Sequence, residues 1–514
     1  AAGEFTYTGV IPTEGNITAT VTDPDGNTSA FSRLPSPFQA DLPVDHTTAG
    51  VNVLLEDHWF FKVDVDNALY WEPSTDIFGD GTIAVAAGTY PEGATDSGMN
   101  CKVGLINRDD TVQEHWAWRA DNGTSWTANF NVSRTDGNPP RIACDRREGA
   151  TRFLVGQEGT PWAFSAFNTD GRFSGAFQYD RQIAAVQLYN KAAGGPTPLT
   201  HVFDPIYGAG NVAGSQNNQQ IRFGGDLCFL SNGNFVACPE DQTRGVCPTG
   251  TAPILTIFNG ETGAVIKGPF NGRADDSSSD IWSNVTAFNG GFCVRSRGLL
   301  TIWDNDGNLR YYLDQNQFST DLLRDRGDMS RVASTIGSDY IYLVSRNNSG
   351  QMSLARFDAA HSSQGHIVGI KEVIVAEAWE TSIFDRSDVA IDDYNNACVV
   401  WEEAYSGQNE QIVARIYDSS MNPVTPTFYA FKDHDAWNDA NQRGFHSEKP
   451  SVSMDGERIV IAADGIFEDP DTSGLTPQRQ VFVTVLKNPV NLRPVANNQA
   501  VSAYEDIPKG IVLT

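Results

Sequence analysis

The sequence predicts an all-β fold and, within that class, a seven-bladed β-propeller. Three observations predict it. One frame of four strand-like segments recurs seven times along the 514 residues, the second segment of the frame is apolar on both faces, and no helical periodicity extends beyond about two turns. Four short strands per repeat, at a period of about 50–85 residues, are typical of a propeller blade.

Each copy of the frame holds two hairpin-like halves with turn residues such as "DG", "NG" and "TDG". In the clearest copy the halves are "DVAIDDYNNACVVWEEA" and "QIVARIYDSSMNPVTPTFYAF". The outer half of the second copy is assigned to "WAFSAFNTDGRFSGAFQY". The copies begin at Tyr70, Pro140, Ile221, Ile281, Ser330, Asp388 and Pro450.

The inner strands of a blade are covered on both faces by neighbouring blades, so they should be continuously apolar. The runs "ACVVW", "RIVIAA", "YIYLV", "TIAVAA" and "NFVAC" have this character. The outer strands should be mixed, as "NLRYYL" and "DTVQEHW" are. At the end of "ACVVW", Glu402 and Glu403 are expected to form a solvated strand end, because neighbouring residues of a strand point to opposite faces and do not share a substrate.

We expect the propeller to span residues 50–490, after a linker at 36–49. Segment 181–220 is either a long insertion after the second blade or a degenerate eighth blade, so eight blades are the alternative to seven.

The two ends of the chain do not fit the blade frame, and each resembles part of another β-domain. Within residues 1–35, "NITATVTDPDGNTSAFS" resembles the closing strands of Ig-like modules in large secreted bacterial proteins. Residues 491–514 comprise a linker and "RPVANNQAVSAYEDIPKGIVLT", which resembles the opening of bacterial cadherin-like tandem domains, with Glu505, Asp506 and Pro508 in register. The resemblance implies partial β-sandwich segments at both ends, whose strands could also pair between subunits.

The copy that begins at Asp388 resembles a repeat of the same secreted proteins through "DVAIDDYNNACVVWEE", "IVARIYD" and "MNPVTPTF". The resemblance implies an extracellular piece of a larger bacterial cell-surface protein. We therefore expect a non-catalytic binding or assembly module in adhesion, matrix or filament structure, whose partner is a glycan or a protein. The alternative is a carbohydrate-active enzyme, a polysaccharide lyase or glycoside hydrolase, with its site on the propeller face.

Net charge argues against nucleic acid and anionic membranes as partners, and hydropathy argues against a membrane-spanning helix. The formal net charge of −28 repels nucleic acid and anionic membrane surfaces. No apolar run approaches the roughly 18–20 residues that a membrane-spanning helix needs. The acidic composition also raises the question of cation binding.

Calcium is the cofactor that the sequence suggests. In "DNDGN", the oxygen-bearing residues Asp304, Asp306 and Asn308 alternate, as they do in loops that chelate Ca²⁺. The alternative is a hairpin turn, which would explain the same residues without a metal.

The densest cluster of Asp, His and Trp lies in "KDHDAWNDANQRGFHSE". An aromatic ring beside carboxylates suits sugar binding, and two histidines with aspartate suit a metal. The alternative is a solvated loop between blades with one Trp tucked inward. The candidate ligand-binding residues are Asp433, His434, Asp435, Trp437 and His446.

Nucleophile and phosphate-binding motifs are missing, so no catalytic residue is predicted. Cys238 and Cys247 flank "PEDQTRGV" and could form a disulfide across a hairpin. Cys228, Cys293 and Cys398 lie inside apolar strands and are predicted to be buried thiols.

Overall fold

The computed structural model describes most of the predicted propeller region. The described residues are 55–61, 69–90, 100–108, 112–118, 130–131, 140–161, 165–167, 173–175, 183–192, 195–203, 221–241, 252–274, 283–296, 298–314, 331–346, 351–376, 386–403, 411–431, 446–467 and 478–490. The predicted segments 1–35, 36–49 and 491–514 lie outside these residues.

Every regular element in the described residues is a β-strand, and these residues contain no helix that could cross a membrane.

The strands form small antiparallel sheets, which we number in chain order. Sheets 1 to 3 come from the first half of the chain. Strand β1 (Leu55–Phe61) precedes them. Sheet 1 contains β2 (Leu69–Ile77), β3 (Ile83–Tyr90), β4 (Asn100–Ile106) and β5 (Val112–Trp118). Sheet 2 contains β6 (Phe130–Asn131), β7 (Arg141–Cys144), β8 (Arg152–Pro161), β11 (Ile183–Ala192) and β12 (Gly195–Phe203). Between β8 and β11, a separate hairpin contains β9 (Ser165–Phe167) and β10 (Phe173–Gly175). Sheet 3 contains β13 (Ile221–Phe229), β14 (Phe235–Asp241), β15 (Ala252–Phe258) and β16 (Val265–Asn271).

Sheets 4 to 7 come from the second half. Sheet 4 contains β17 (Asn284–Phe288), β18 (Gly291–Ser296), β19 (Leu299–Asp304) and β20 (Leu309–Asp314). Sheet 5 contains β21 (Arg331–Ala333), β22 (Tyr340–Arg346), β23 (Met352–Ser363) and β24 (His366–Ala376). Sheet 6 contains β25 (Ser387–Ile391), β26 (Ala397–Glu403), β27 (Gln411–Tyr417) and β28 (Phe428–Tyr429). Sheet 7 contains β29 (His446–Met454), β30 (Arg458–Phe467), β31 (Gln478–Lys487) and, as its outermost strand, β1.

The first strands of the sheets form a closed ring. Each contacts the first strand of the next sheet, in the order β2, β7, β13, β17, β21, β25, β29 and back to β2. Small antiparallel sheets set radially around one axis are the arrangement of a β-propeller. The prediction of an all-β fold of propeller type is confirmed.

Neighbouring sheets pack face to face, with apolar side chains buried between them. One cluster joins sheets 6 and 7 and includes Val400 and Ile461. Another joins sheets 7 and 1 and includes Val483 and Val85, so the packing also closes the ring. The second strands are buried on both faces and the outer strands are mixed, as the sequence predicts.

The last sheet is completed by the N-terminal side of the chain, which the sequence did not reveal. Strand β1 pairs antiparallel with β31, from Leu55 opposite Leu486 to Phe61 opposite Val481. The seventh copy in the sequence supplies only three strands, and β1 supplies the fourth. This pairing joins the two ends of the propeller.

The assignment of the second copy needs a correction. Strands β9 and β10 flank "NTDGR" and pair with each other as a hairpin outside sheet 2, and the outer strands of that sheet are β11 and β12. Strand β11 pairs with β8 from Ile183 opposite Gly159 to Asn190 opposite Arg152. The described part of segment 181–220 therefore completes the second blade and forms neither an insertion nor an eighth sheet. Alternate apolar residues of β11, Val186 and Leu188, are buried in the core.

Two predictions about single side chains have different outcomes. Glu402 is only 2% exposed, so the prediction of a solvated strand end is wrong for this residue: β26 stays between its neighbours at Glu402, whose backbone N–H donates to the Arg386 carbonyl. Cys293 and Cys398 are buried thiols and Cys228 is half-buried. Cys238 is buried in β14, and Cys247 lies outside the described residues, so the disulfide stays a prediction.

Candidate functional site

The propeller has two unlike faces. Because adjacent strands are antiparallel, every first strand begins on one face, which we call the entry face. The last strand of one sheet ends on this face and the first strand of the next begins there, as β5 and β7 and as β28 and β29 do. The opposite face, which we call the turn face, carries tight turns such as Phe78–Thr82, Leu230–Asn234 and Asp392–Asn396. Connections that vary in length on a rigid scaffold are where binding residues concentrate, so the entry face is the candidate binding face.

The predicted ligand-binding cluster lies in the chain between β28 and β29, and His446 is its only described residue. Asp433, His434, Asp435 and Trp437 lie outside the described residues, and His446 is the first residue of β29, opposite Ile466. Its backbone position is therefore on the entry face. Ligand binding by these residues stays a prediction.

The predicted calcium residues lie in a turn of the turn face, between β19 and β20. The Asp304 Oδ1 atom accepts hydrogen bonds from the backbone N–H groups of Asp306 (3.0 Å) and Asn308 (2.8 Å), and Oδ2 accepts one from Asn308 Nδ2 (2.9 Å). Partial burial raises the pKa of Asp304, but these hydrogen bonds outweigh it and hold the pKa below its ordinary value. Both carboxylate oxygens are thus engaged in shaping the turn.

The same turn occurs twice in sheet 6. Asp392 caps a turn that ends at Asn396, and Asp418 caps a turn that ends at Asn422, with the same three hydrogen bonds. An Asp followed four residues later by Asn is the signal that identifies it. No group of three or more His, Cys, Asp or Glu side chains in the described ranges is placed to hold a metal. Calcium binding stays a prediction.

Replacing Asp304 with Asn is expected to cost about 1 kcal/mol of unfolding free energy near pH 7, because the new amide would face the Asn308 amide donor. The folded pKa is depressed, so this stabilisation is present above the ordinary value of 3.8 and is lost as pH falls through the lower folded value. The difference from wild type, measured by urea unfolding, should therefore shrink on acidification.

Asp306→Asn, at an exposed position of the same turn, is the matched control and should leave stability unchanged. A difference that widens at low pH would contradict the assignment. If EDTA lowers the melting temperature of the wild type but not that of Asp304→Asn, the predicted calcium site is established instead.

In the described residues, the first strands of the seven sheets line a cavity of about 140 Å³ on the propeller axis. Side chains of these strands bond one sheet to the next. Ser74 Oγ accepts a hydrogen bond from the Ile142 N–H (3.2 Å), and Ser451 Oγ accepts one from the Thr75 N–H (3.1 Å). These cross-sheet bonds fasten sheets 1, 2 and 7 around the axis.

Two further junctions use the same device. Asp388 Oδ2 accepts a hydrogen bond from the Val452 N–H (2.9 Å), between sheets 6 and 7. Thr286 Oγ1 accepts one from the Ser334 N–H (2.9 Å), between sheets 4 and 5. The cross-sheet bonds therefore occupy polar side chains that, from sequence alone, could have been candidates for chemistry.

Asp76 and Arg146 make the most extensive of these contacts. The Asp76 carboxylate accepts hydrogen bonds from Arg146 Nη2 (2.5 Å) and from the Cys144 N–H (2.7 Å), and Arg146 Nη1 donates to the Met454 carbonyl (3.2 Å). Burial lowers the pKa of Arg146, but the Asp76 carboxylate outweighs it and raises that pKa above its ordinary value. The pair joins sheets 1, 2 and 7.

Two arginines break the pattern of small acceptors. In each of sheets 1, 2, 6 and 7 we compare one position of the first strand, three residues before the last residue that pairs with the second strand. In sheets 1, 6 and 7 this position holds an acceptor: Ser74, Asp388 and Ser451. In sheet 2 it holds Arg141. Arg331 begins β21 as Arg141 begins β7. A guanidinium has no acceptor, so neither residue can make the cross-sheet bond seen elsewhere.

These arginines act electrostatically on two aspartates of the cavity. Burial raises the pKa of Asp226, and the Arg141 charge opposes it. Burial likewise raises the pKa of Asp388, with Arg331 opposing. Burial also lowers the pKa of Arg331 to about 10. Sequence alone does not reveal this set, because its members are single residues in different repeats, which only closure of the ring brings together.

Comparisons with known proteins add little to this geometry. No protein family model matches the chain, and no curated protein matches it. Among solved structures, the chain is similar to a protein of unknown function from Dyadobacter fermentans DSM 18053, with 11% identity and a TM-score of 0.40 over 85% of this chain and 99% of that one.

Two other similar structures have assigned names. One is a mutant of Trypanosoma rangeli sialidase displaying trans-sialidase activity, with 9% identity and a TM-score of 0.39 over 91% of this chain and 58% of that one. The other is the WD40 domain of Neurospora crassa Pan2, with 12% identity and a TM-score of 0.38 over 82% and 90%. Similarities at this level say nothing of what this chain binds or does.

Proposed function

We propose that the chain is a non-catalytic binding or assembly module of an extracellular bacterial surface protein, built as a seven-bladed propeller. Its ligand, a glycan or a surface protein, binds at the entry face, with Asp433, His434, Asp435, Trp437 and His446 as the contact residues. Calcium is its candidate cofactor. The terminal segments resembling Ig-like and cadherin-like domains link it to neighbouring domains or copies.

The cross-sheet bonds of Asp76 and Asp388 carry this proposal. Most glycoside hydrolases use two carboxylates, about 5–10 Å apart, that are free to act on one substrate. Each of these two carboxylates accepts a backbone hydrogen bond from the first strand of a neighbouring sheet, and Asp76 is also paired with Arg146. Their role is therefore structural. The third axial carboxylate, Asp226, accepts a hydrogen bond from the Leu227 N–H.

The two unlike faces support binding at the entry face. Sheets held by cross-sheet bonds give a rigid frame, and the described first strands all begin on that face. A rigid scaffold that presents several adjacent connections is suited to recognising an extended ligand.

A glycan array probed with the 514-residue chain, with and without EDTA, tests the proposal. Binding to at least one acidic or neutral glycan class is expected. Trp437→Ala should weaken it at least about tenfold, as loss of an aromatic anchor does at interfaces. Tyr394→Ala is the matched control, because Tyr394 is 62% exposed on the turn face. Binding that EDTA does not change removes calcium from the proposal.

The same glycans should be recovered intact. Release of reducing ends or unsaturated sugars would contradict the non-catalytic proposal and favour a hydrolase or lyase. If no glycan on the array is bound, glycan recognition is contradicted and protein assembly is the remaining function. Sedimentation of the chain at increasing concentration measures that assembly.

A further inference from the structure

Arg141 is a buried cation whose hydrogen-bonding capacity is largely unused. Its side chain lines the axial cavity, the residue is only 8% exposed, and neither Nε nor Nη2 has a hydrogen-bond partner among the described residues. A buried donor without an acceptor is costly, and the cost is higher for a charged group. The side chain is therefore suited to receive an acceptor brought into the cavity.

Two hydroxyl groups on other sides of the same cavity are in the same condition. Thr335 follows β21 in sheet 5, and Ser453 lies in β29 of sheet 7. Both residues line the cavity, both are 2% exposed, and neither side-chain oxygen has a hydrogen-bond partner in the part of the chain that the structure describes. Sheets 2, 5 and 7 therefore each contribute an unsatisfied polar group to one space.

The chemistry of these groups selects the ligand. A guanidinium is a donor only, and its planar fork matches oxygen pairs of carboxylates and oxyanions. Hydroxyl groups can donate to the remaining oxygens. A cavity of about 140 Å³ leaves room for several water molecules or for one small anion.

We propose that the axial cavity is a binding site for a small anion, an oxyanion or a carboxylate, held by Arg141 together with the hydroxyls of Thr335 and Ser453. This site is separate from the entry-face ligand and does not depend on that proposal. It explains why sheet 2 carries an arginine where sheets 1, 6 and 7 carry a small or acidic acceptor.

The charges around the cavity set how the site should respond to pH. Six charged side chains line it: Asp76, Arg141, Arg146, Asp226, Arg331 and Asp388. The pair of Asp76 and Arg146 is mutually bonded, which leaves two arginines and two aspartates. Arg295, Cys228 and Asp393 also act electrostatically on members of this group.

Acidification should tighten anion binding. Burial raises the pKa values of Asp226 and Asp388, so these carboxylates take up protons at higher pH than an ordinary Asp. As pH falls through those raised values, the cavity loses negative charge while Arg141 and Arg331 keep their positive charge. The attraction for an anion therefore increases.

Sulfate is the probe, because its charge is constant over the pH range that matters. Isothermal titration and thermal unfolding of the 514-residue chain in sodium sulfate, against sodium chloride at equal ionic strength, should give saturable binding and a matching rise in melting temperature. Sodium formate is a parallel arm that separates a planar carboxylate from a tetrahedral oxyanion. Affinity should rise as pH falls from neutrality through the raised pKa values of Asp226 and Asp388.

Arg141→Gln should weaken binding by roughly tenfold or more, the usual loss when one charge-assisted hydrogen-bonding group is removed. Arg310→Gln makes the same chemical change at an exposed position on the outer strand of sheet 4 and should bind as wild type does. Should Arg141→Gln fail to fold, the conservative variants Ser453→Ala and Thr335→Val decide, with a several-fold loss expected in each. Equal stabilisation by sulfate and chloride, or unchanged binding in all three variants, overturns the site.

Discussion

A chain that starts at residue 69 is expected to lose the propeller fold, whereas one that starts at residue 51 keeps it. The difference is strand β1. Without it, β31 becomes an unpaired edge, because its backbone groups between Val481 and Leu486 lose their partners in β1. Losing several ladder hydrogen bonds at about 0.5–1.5 kcal/mol each removes roughly 5 kcal/mol, comparable with the whole stability of many domains. The open edge should also promote aggregation.

The two chains should be compared by soluble yield and by urea unfolding. The register offers a control: because Leu55 lies opposite Leu486, a short Gly/Ser linker can join the end of β31 to the start of β1. A permuted chain of residues 69–487, linker and 51–61 should regain most of the lost stability. Equal stability of the two truncated chains would contradict closure by β1.

Trp401→Ala is expected to destabilise the propeller by about 3–5 kcal/mol, the usual cost of deleting a large buried aromatic side chain. Trp401 is 1% exposed and belongs to the cluster between sheets 5 and 6, with Tyr342, Val389 and Val413. Both sheets are held on either side by their neighbours, so they cannot collapse into the space that the indole leaves.

Trp401→Phe separates packing from hydrogen bonding. The indole Nε1 has no hydrogen-bond partner among the described residues, so replacement by Phe breaks no polar contact and should cost less than half as much as Ala. Tyr394→Ala, at an exposed aromatic residue of the same sheet, should stay within about 0.5 kcal/mol of wild type. Urea midpoints measure all three. A Phe variant as unstable as the Ala variant would show that the indole N–H is bonded.

Prediction from sequence worked where a local pattern reflects a local environment. Runs such as "ACVVW" are continuously apolar because both faces of β26 are covered, and this holds for the second strand of each sheet. Prediction from sequence failed where a strand could pair with either of two later segments that the local pattern does not distinguish. "NTDG" is a strong turn signal at β9 and β10, but nothing in it shows that β8 pairs instead with β11.

Long-range contacts account for the other misses. The partner of β1 lies at the opposite end of the chain, beyond any pattern in a window of sequence. The alternation rule for Glu402 and Glu403 is sound, but the burial of Glu402 depends on how far the covering sheets extend. Arg141 is one of several charged residues in "PPRIACDRR", and charged residues are usually exposed. Only the closed ring of first strands shows that Arg141 lines the axial cavity.

The pairing of β1 with β31 also determines how the propeller carries mechanical load. Leu55 and Leu486 are opposite each other, so the chain enters and leaves the propeller at the same corner of sheet 7. A pull on the two ends would act on the hydrogen bonds of this pair one after another, as in a zip, and not on all of them together in shear. Under tension between the two ends, β1 would therefore be the first strand to separate, before the other strands of the ring.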